Sequence, residues 1–322
     1  MGWRSLLRNP LGKVIRSRLA RILALCLAGA GTSLYAQSLG APTTLEFGEV
    51  VVDPGGGSMT VDPATGAITS MVGIYPTASL STASSATVAT GKAKHTASIY
   101  TTLTGFITMT SGTGGTFSMD PGPINSEYFN NTFTFPGKNG NTSLTFHLAG
   151  TITIPAGQTA GDYNGVLPIF IQDNNNGNNS NIVNVPIHIR LIAPIAVSKN
   201  QDLDMGLVIP GATAGSVTLN PTTGAQGLTG GVIYASPSGL PAQFAATGEP
   251  NHTFSITLGA PSVTLTGPGG TMNLSLLATP SGTSTFTAAG TATLNIGGTL
   301  SVGANQADGD YAGTLQVTVA YP

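Results

Sequence analysis

The chain has 322 residues, of which 7% are charged and 44 are glycine, and its formal net charge is −2. This length suits two domains of roughly 150 residues, each able to bury its own core. Because the charged fraction is far below the usual ~25%, Thr, Ser, Asn and glycine-rich turns must solvate the surface. β-Branched residues and glycine are poor helix formers, so this composition disfavours long helices and favours short strands joined by tight turns.

The first 36 residues have the pattern of a secretory signal peptide. Six basic residues lie within the first 21 positions, and a short apolar run at residues 22–27 follows them. Ala36 is the predicted cleavage position and Ala30 is the alternative. The apolar run is much shorter than the ~20 residues of a membrane-spanning helix, which disfavours a membrane anchor. Leu25 precedes the only cysteine, Cys26, and is too large for a lipoprotein signal.

Removal of residues 1–36 would leave five basic and all thirteen acidic residues, a formal net charge of −8. No basic patch would remain to bind a phosphate backbone, so nucleic acid is not an expected partner. The mature chain would contain no cysteine and no membrane span, so each domain would depend on core packing alone. We therefore expect an exported protein of the periplasm, the cell surface or the extracellular space.

The mature chain contains two copies of one β-domain. Matching segments in the two copies are residues 45–48 and 203–206, 58–66 and 216–224, 95–99 and 252–256, 150–154 and 298–302, and 161–165 and 309–313. The first copy carries about ten extra residues, mostly within residues 120–135. A self-match of this length indicates duplicated domains. The predicted organisation is a first domain at 37–182, a linking strand at 183–197 and a second domain at 198–322.

The matched segments alternate in hydrophobicity and end at turn signatures such as Asp/Asn-Pro-x-Thr-Gly. Short strands with regularly spaced turns predict an all-β protein of two tandem antiparallel β-sandwiches of immunoglobulin-like type. A closed antiparallel barrel is the alternative that the pattern leaves open.

The linking stretch is itself strand-like. Every odd position from residue 183 to residue 197 is apolar, and fifteen extended residues span about 50 Å at ~3.3 Å each. This length predicts that the last strand of the first domain continues as the first strand of the second. Pro186 and Pro194 mark edge or bend positions because neither has an N–H for a sheet ladder. A stiff domain pair is expected.

The last strand alternates in the same way. Leu315, Val317, Val319 and Tyr321 share one face. In the first copy the equivalent strand turns back into the linking strand, whereas this one has no such continuation. We therefore predict that these four residues form an edge strand available to a protein partner.

Few residues suggest chemistry. The Gly-Asp-Tyr-x-Gly segments are interpreted as turns in which Asp bonds local backbone and Tyr forms a tyrosine corner. His95 and His252 occupy equivalent positions, and no spacing predicts a metal site. No catalytic pair or cofactor motif is present, so the chain is predicted not to be an enzyme and to need no cofactor. Tyr128 and Phe129 lie in the extra segment, where they would contact a glycan or a protein or cap the sandwich.

These motifs resemble those of the secreted bacterial domain-of-unknown-function family 4402. The resemblance rests on the L-x-F-G opening, the S-x-T-x-[DN]-P-x-T-G turn, the run at residues 297–306 and the closing G-D-Y-x-G-T-L-x-V-T-V-x-Y. The second copy fits more closely than the first. The family implies no established biochemistry.

The last strand more loosely resembles the C-terminal strand of chaperone–usher pilins. That resemblance implies a strand paired by a chaperone and polymerisation by donated N-terminal strands. Only residues 37–44 precede the first motif, too few for a donor arm, and the cysteines of pilins are missing. The pattern is similar to a pilus-tip adhesin, although the linking strand would equally complete the sandwiches within the chain.

The favoured function is a secreted, non-enzymatic structural or adhesive protein of the cell surface, with a fimbria-like subunit as one form of it. The alternative is a soluble extracellular β-sandwich module that binds a glycan or a protein. A hydrolase has the least support because no acid or nucleophile pair is evident.

Overall fold

The computed structural model describes residues 37–77, 85–101, 106–119, 132–175 and 180–322. All of these residues lie in strands, turns or irregular segments. The predicted signal peptide and the candidate ligand residues Tyr128 and Phe129 lie outside the described residues.

Within the residues that the structure describes, fourteen strands belong to the first domain and twelve to the second. The first-domain strands are β1 (Ser38–Leu39), β2 (Leu45–Val52), β3 (Gly57–Val61), β4 (Ile68–Val72), β5 (Ile74–Pro76), β6 (Ser85–Lys92), β7 (Thr96–Thr101), β8 (Ile107–Ser111), β9 (Thr116–Met119), β10 (Thr132–Thr134), β11 (Asn141–Leu148), β12 (Thr151–Ile154), β13 (Gly161–Asp173) and β14 (Ser180–Ile192). The second-domain strands are β15 (Ala196–Gln201), β16 (Asp204–Ile209), β17 (Gly215–Leu219), β18 (Gln226–Gly230), β19 (Ile233–Leu240), β20 (Ala242–Thr247), β21 (Thr253–Leu258), β22 (Ser262–Gly267), β23 (Gly270–Thr279), β24 (Gly282–Thr285), β25 (Thr291–Val302) and β26 (Val317–Ala320).

The first domain packs its sheets around a single core. Its main sheet has the order β10-β7-β13-β14-β2-β5, with β8 beside β13 and β9 beside β8, and two smaller sheets have the orders β1-β6-β11 and β12-β3-β4. Inward residues of these strands, including Phe47, Ile99, Phe146 and Ile187, form one buried cluster. The strands alternate because one face of each sheet meets this core. The predicted pair of tandem antiparallel sandwiches is confirmed.

The second domain repeats this arrangement with a more divided core. Its largest sheet has the order β15-β20-β25-β17-β18, with β23 beside β25 and β22 beside β23. Two smaller sheets have the orders β16-β19 and β24-β21-β26. Its buried residues form three separate clusters instead of one.

The Asp/Asn-Pro-x-Thr-Gly turns have the same geometry in both domains. Asp62 accepts hydrogen bonds from the backbone N–H and the hydroxyl of Thr65, each at 2.8 Å. Asn220 accepts hydrogen bonds from the N–H groups of the two residues that follow its proline, at 2.8 and 3.0 Å. Gly66 and Gly224 both have φ of +67°, which a residue without Cβ adopts readily. The predicted turn chemistry is confirmed.

The linking stretch is divided between two strands. β14 ends at Ile192 in the first domain's main sheet, and β15 begins at Ala196 and pairs with β20 of the second domain. Pro194 lies between them, where its missing N–H costs no ladder bond. Only three residues therefore separate consecutive strands of the two domains.

Candidate functional site

The main sheets of the two domains differ at one position. In the first domain β13 and β2 are joined through β14. Chain order and matched motifs make β24, β21, β26, β16 and β19 the counterparts of β10, β7, β13, β2 and β5. In the second domain these counterparts form two separate pieces, β24-β21-β26 and β16-β19. Among the described residues, no strand joins β26 to β16 where β14 joins β13 to β2.

β14 holds its place through two long pairings. It pairs antiparallel with β13 along twelve residues and parallel with β2. Its inward side chains Val185, Ile187, Ile189 and Leu191 are at most 3% exposed. β14 therefore joins the two sides of the sheet and also supplies a row of core side chains.

The corresponding place in the second domain is an open groove of about 880 Å³ that is lined by both apolar and polar residues. β16 lines one side and residues 306–315 line the other, while side chains of β22, β23 and β25 form its floor. Four apolar residues that line it are only half-buried, whereas their first-domain counterparts are at most 3% exposed. The pairs, second domain first, are Leu203 and Leu45, Val208 and Val50, Leu265 and Met109, and Leu315 and Leu167. The second copy has the same core positions without the strand that covers them in the first.

Of the four residues of the predicted partner-pairing strand, Leu315 lines this groove, and Val317, Val319 and Tyr321 follow it in the chain beyond the groove lining. Leu315, Val317, Val319 and Tyr321 are half-buried and pack against the second-domain clusters, and the residues between them are exposed. β26 pairs with β21 and is otherwise an edge strand of its sheet. The regular strand has only four residues because a neighbour is present on one side alone, whereas β13 has neighbours on both sides. The prediction that a partner pairs here remains a prediction.

The tyrosine corners are formed in both domains. The hydroxyl of Tyr163 donates to the carbonyl oxygen of Thr159 at 2.9 Å, and Tyr311 donates to the carbonyl oxygen of Ala307 at 2.9 Å. Tyr163 is fully buried, whereas Tyr311 is half-buried and lines the groove. The aspartate before the first tyrosine, Asp162, was expected to bond local backbone. Its carboxylate instead contacts basic side chains of β14, because β14 lies alongside.

A cluster of charged side chains lies at the junction of the two domains. Arg190 of β14 lies between three carboxylates, those of Glu49 at 3.1 Å, Asp162 at 3.5 Å and Glu249 of the second domain at 3.3 Å. The Glu49 contact, through Nε, is an ion pair without an aligned hydrogen bond. His252 Nε2 lies 2.9 Å from the same carboxylate of Glu49. Glu49 and Arg190 thus link the first domain to two residues of the loop before β21.

The junction shifts the pKa of two groups. Burial raises the pKa of Glu49, but hydrogen bonds from Thr77 and His252, together with the charges of His252 and Arg190, outweigh it, so the net pKa is lowered. Burial raises the pKa of Tyr321, and the Glu249 and Glu49 carboxylates add to this effect, although a hydrogen bond from the Glu249 backbone opposes it. Tyr321 therefore keeps its proton at neutral pH and donates a hydrogen bond.

Other described residues that the sequence singled out contact neighbouring residues of their own domain. His95 Nδ1 lies 3.4 Å from a carboxylate oxygen of Asp173, a fully buried residue at the end of β13. Phe133 and Phe135, which end the extra segment, are buried in the first-domain core with ring centroids 5.2 Å apart. These two aromatics therefore complete the core, while Tyr128 and Phe129 remain untested as ligand contacts.

Within the described residues, no group of three or more His, Cys, Asp or Glu side chains is placed to hold a metal ion. The same described residues contain no helix that is long and apolar enough to cross a membrane.

The sequence reasoning did not single out Glu49, Arg190 or Glu249. A signal was present, because Arg190 interrupts the apolar stretch 183–197 and is the only arginine after residue 36. An arginine within an apolar strand is partly removed from water, and a charge removed from water needs a charged or hydrogen-bonding partner.

Comparison with known proteins gives a family and weak structural likenesses that include two chaperone–adhesin complexes. The family model described as domain of unknown function DUF4402 matches residues 38–172 and 195–321. No curated protein matches the chain. A chaperone–tip adhesin subunit pre-assembly complex from the archaic chaperone–usher Csu pili of Acinetobacter baumannii is 13% identical, with a TM-score of 0.30 over 89% of this chain and 100% of that chain. A chaperone–tip adhesin complex of CFA/I fimbriae biogenesis is 11% identical, with a TM-score of 0.25 over 88% of this chain and 97% of that chain.

Both TM-scores are too low to support a functional argument. The family match, by contrast, covers most of the chain in two tandem regions that contain most of the two sandwiches, with β14 lying between the regions. The chain therefore belongs to the DUF4402 family and carries two copies of its domain.

Proposed function

We propose that the protein is an exported, non-enzymatic subunit of a fimbria-like assembly at the cell surface, and that a β-strand from another polypeptide completes its second domain. The observation that carries this proposal is the sheet position between β26 and β16, which β14 fills in the first domain. The two domains share a sequence pattern, so the first serves as a template for the completed second.

A partner strand would be bound because the open groove exposes apolar side chains and backbone edges to water, which costs free energy. Half-buried Leu203, Val208, Leu265 and Leu315 present apolar surface, and the backbone edges beside them have unpaired N–H and C=O groups. A strand laid between the edges would satisfy the backbone groups and cover the side chains together, as in β-strand addition. The strand that fits has apolar residues at alternate positions, as β14 does.

The orientation follows from the same template. β14 runs antiparallel to β13 and parallel to β2. We therefore expect the partner strand to run antiparallel to β26 and parallel to β16. The pairing residues Leu315, Val317 and Val319 contribute core contacts, and the backbone of their strand contributes the hydrogen bonds.

A fusion tests strand acceptance directly. In the alignment of the two copies, Pro322 corresponds to Asn174, so a second copy of residues 175–192 is fused after Pro322 of the chain 37–322. The fused strand is expected to raise the unfolding temperature of the second domain and to protect it from proteolysis. The matched control fusion carries Ser at the positions of Val185, Ile187, Ile189 and Leu191, and it is expected to have no effect. Equal behaviour of the two fusions would contradict strand acceptance.

The assembly is tested separately in the producing bacterium. Surface fibres sheared from the cells are expected to contain this protein, detected by an antibody against the chain 37–322, and periplasmic extracts are expected to contain it bound to another protein. Recovery of the protein only as a free monomer, with none in the fibre fraction, would contradict the assembly role.

A further inference from the structure

β26 continues the groove-lining segment 306–315 and is called the groove-side strand; its end is anchored at the domain junction. Tyr321 immediately follows β26, and its hydroxyl donates to the carbonyl oxygen of Ala193 at 2.6 Å. The same hydroxyl accepts a hydrogen bond from the N–H of Glu249 at 2.7 Å. Ala193 is the first residue after β14. The end of the groove-side strand is thus bonded to the segment that joins the domains.

Glu249 holds the same segment from the other side. One of its carboxylate oxygens accepts a hydrogen bond from the N–H of Ala193 at 3.0 Å, and the other accepts one from Arg190 at 3.3 Å. Glu249 is only 9% exposed, so its charge depends on these partners. Both backbone groups of Ala193 are therefore bonded by residues of the second domain.

A parallel contact joins the domains through His252. Its Nε2 lies 2.9 Å from Glu49, which also accepts a 2.6 Å hydrogen bond from Thr77. The rings of His252 and Tyr321 meet edge to face, with centroids 6.2 Å apart. Tyr321 thus contacts both links between the domains: it hydrogen-bonds to Ala193 and Glu249, and its ring packs against His252.

The equivalent position in the first domain is built differently. Asp173 stands where the second copy has Tyr321, and His95 stands where it has His252. His95 and Asp173 contact each other at 3.4 Å inside one domain. In the second copy the tyrosine replaces the acid, and the histidine contacts Glu49 of the first domain instead. In the second copy, contacts of His252 and Tyr321 with the first domain and the interdomain segment therefore take the place of the histidine–aspartate contact inside the first domain.

We propose that Tyr321, Glu249, Arg190, Glu49 and His252 form a junction clamp that couples strand acceptance by the second domain to the relative orientation of the two domains. The inference rests on the proposed function, because it concerns the same groove. Tyr321 acts as a positioning residue, since it fixes the end of a short edge strand before a partner arrives. An edge strand ordered in advance costs less conformational entropy on binding.

The coupling is reciprocal. A partner strand paired along β26 stabilises that strand and therefore the contacts of Tyr321 with Ala193 and Glu249. By thermodynamic linkage, contacts that favour one domain orientation also favour strand binding to the same extent. A bound strand is thus expected to narrow the range of domain orientations, and loss of the clamp is expected to weaken strand binding.

The experiment uses the chain 37–322 and a fluorescent synthetic peptide of residues 180–192 as the strand probe. The chain 37–322 has no cysteine, so spin labels at Lys138→Cys and Thr283→Cys report the distance between the domains. Tyr321→Phe removes only the hydroxyl, and Glu249→Gln removes the buried charge while keeping the side-chain shape. Tyr75→Phe is the matched control, because Tyr75 is 56% exposed and lies in the first domain.

We expect Tyr321→Phe and Glu249→Gln to broaden the interdomain distance distribution and to weaken peptide binding about fivefold or more, the lower end of typical coupling. Tyr75→Phe is expected to change neither, and the peptide is expected to narrow the distribution of the unmodified chain. Unchanged peptide affinity in both clamp variants would overturn the coupling while leaving strand acceptance intact. Failure of the unmodified chain to bind the peptide, together with equal behaviour of the two fusions, would overturn the proposed function and the coupling with it.

Discussion

Replacement of Ile189 by alanine would measure how much the joining strand contributes to a completed domain. Ile189 lies in β14 opposite Tyr163 of β13, and its side chain is 0% exposed within the first-domain core. Truncation of a fully buried isoleucine removes its burial energy and leaves a cavity, for a cost of about 3 kcal/mol. For a domain of this size the unfolding temperature is expected to fall by roughly 6–12 °C. Differential scanning calorimetry of the chain 37–322 measures this shift.

The control lies on the same strand. Asn184 is exposed on the outward face of β14, and Asn184→Ala is expected to change stability by less than about 0.5 kcal/mol. A loss below about 1 kcal/mol for Ile189→Ala would refute the view that β14 is an essential core strand. Such a result would also remove the reason to expect that a strand bound in the second-domain groove greatly stabilises that domain.

Three further changes test local parts of the structure. Tyr163→Phe is expected to cost about 1 kcal/mol in urea unfolding, because the hydrogen bond from the Tyr163 hydroxyl to the carbonyl oxygen of Thr159 is lost; a neutral result would contradict the tyrosine corner. Gly224→Ala is expected to cost about 1–2 kcal/mol, since φ is +67° and the added Cβ meets no atom closer than 3.8 Å, so the backbone alone is strained. The pKa of Glu49 in the folded chain lies below its ordinary value of 4.5. The ionised carboxylate therefore stabilises the fold fully above pH 4.5, and this stabilisation is lost as the pH falls through the lower, folded-state pKa. Glu49→Gln should therefore flatten the decline of the unfolding temperature below pH 4.5, and an unchanged acid profile would argue against the ion pair with His252.

Much of the fold was predictable because its signals are local. Alternation along β13 and β26 depends only on which neighbours in sequence share a face. The turns at Asp62 and Asn220 depend on a side-chain acceptor, a proline and a glycine within five residues. The tyrosine corners join residues four positions apart. Sequence comparison within the chain was therefore sufficient to identify both domains and their type.

The structure around the proposed partner-pairing strand was only partly predictable. The alternation and the edge position of that strand follow from the sequence pattern, but the groove beside it does not. Leu45 and Leu203 look alike in sequence, yet one is fully buried and the other half-buried, because burial depends on whether another strand lies alongside. Regular pairing was likewise expected from residue 315 onward, while β26 begins at Val317, since one neighbouring strand supports a shorter ladder than two.

The sequence by itself determined that this chain has two copies of one β-domain with alternating strands and tight turns. These properties depend on the alternation of apolar and polar residues and on short turn motifs, both of which are local in sequence. Only the tertiary structure decided that one copy is joined across its main sheet and the other open, and that Tyr321, Glu249 and Glu49 meet at the junction. Glu49 and His252 are 203 residues apart in sequence and come within 2.9 Å in space. Such contacts carry no local pattern, since they arise when complete domains pack against each other.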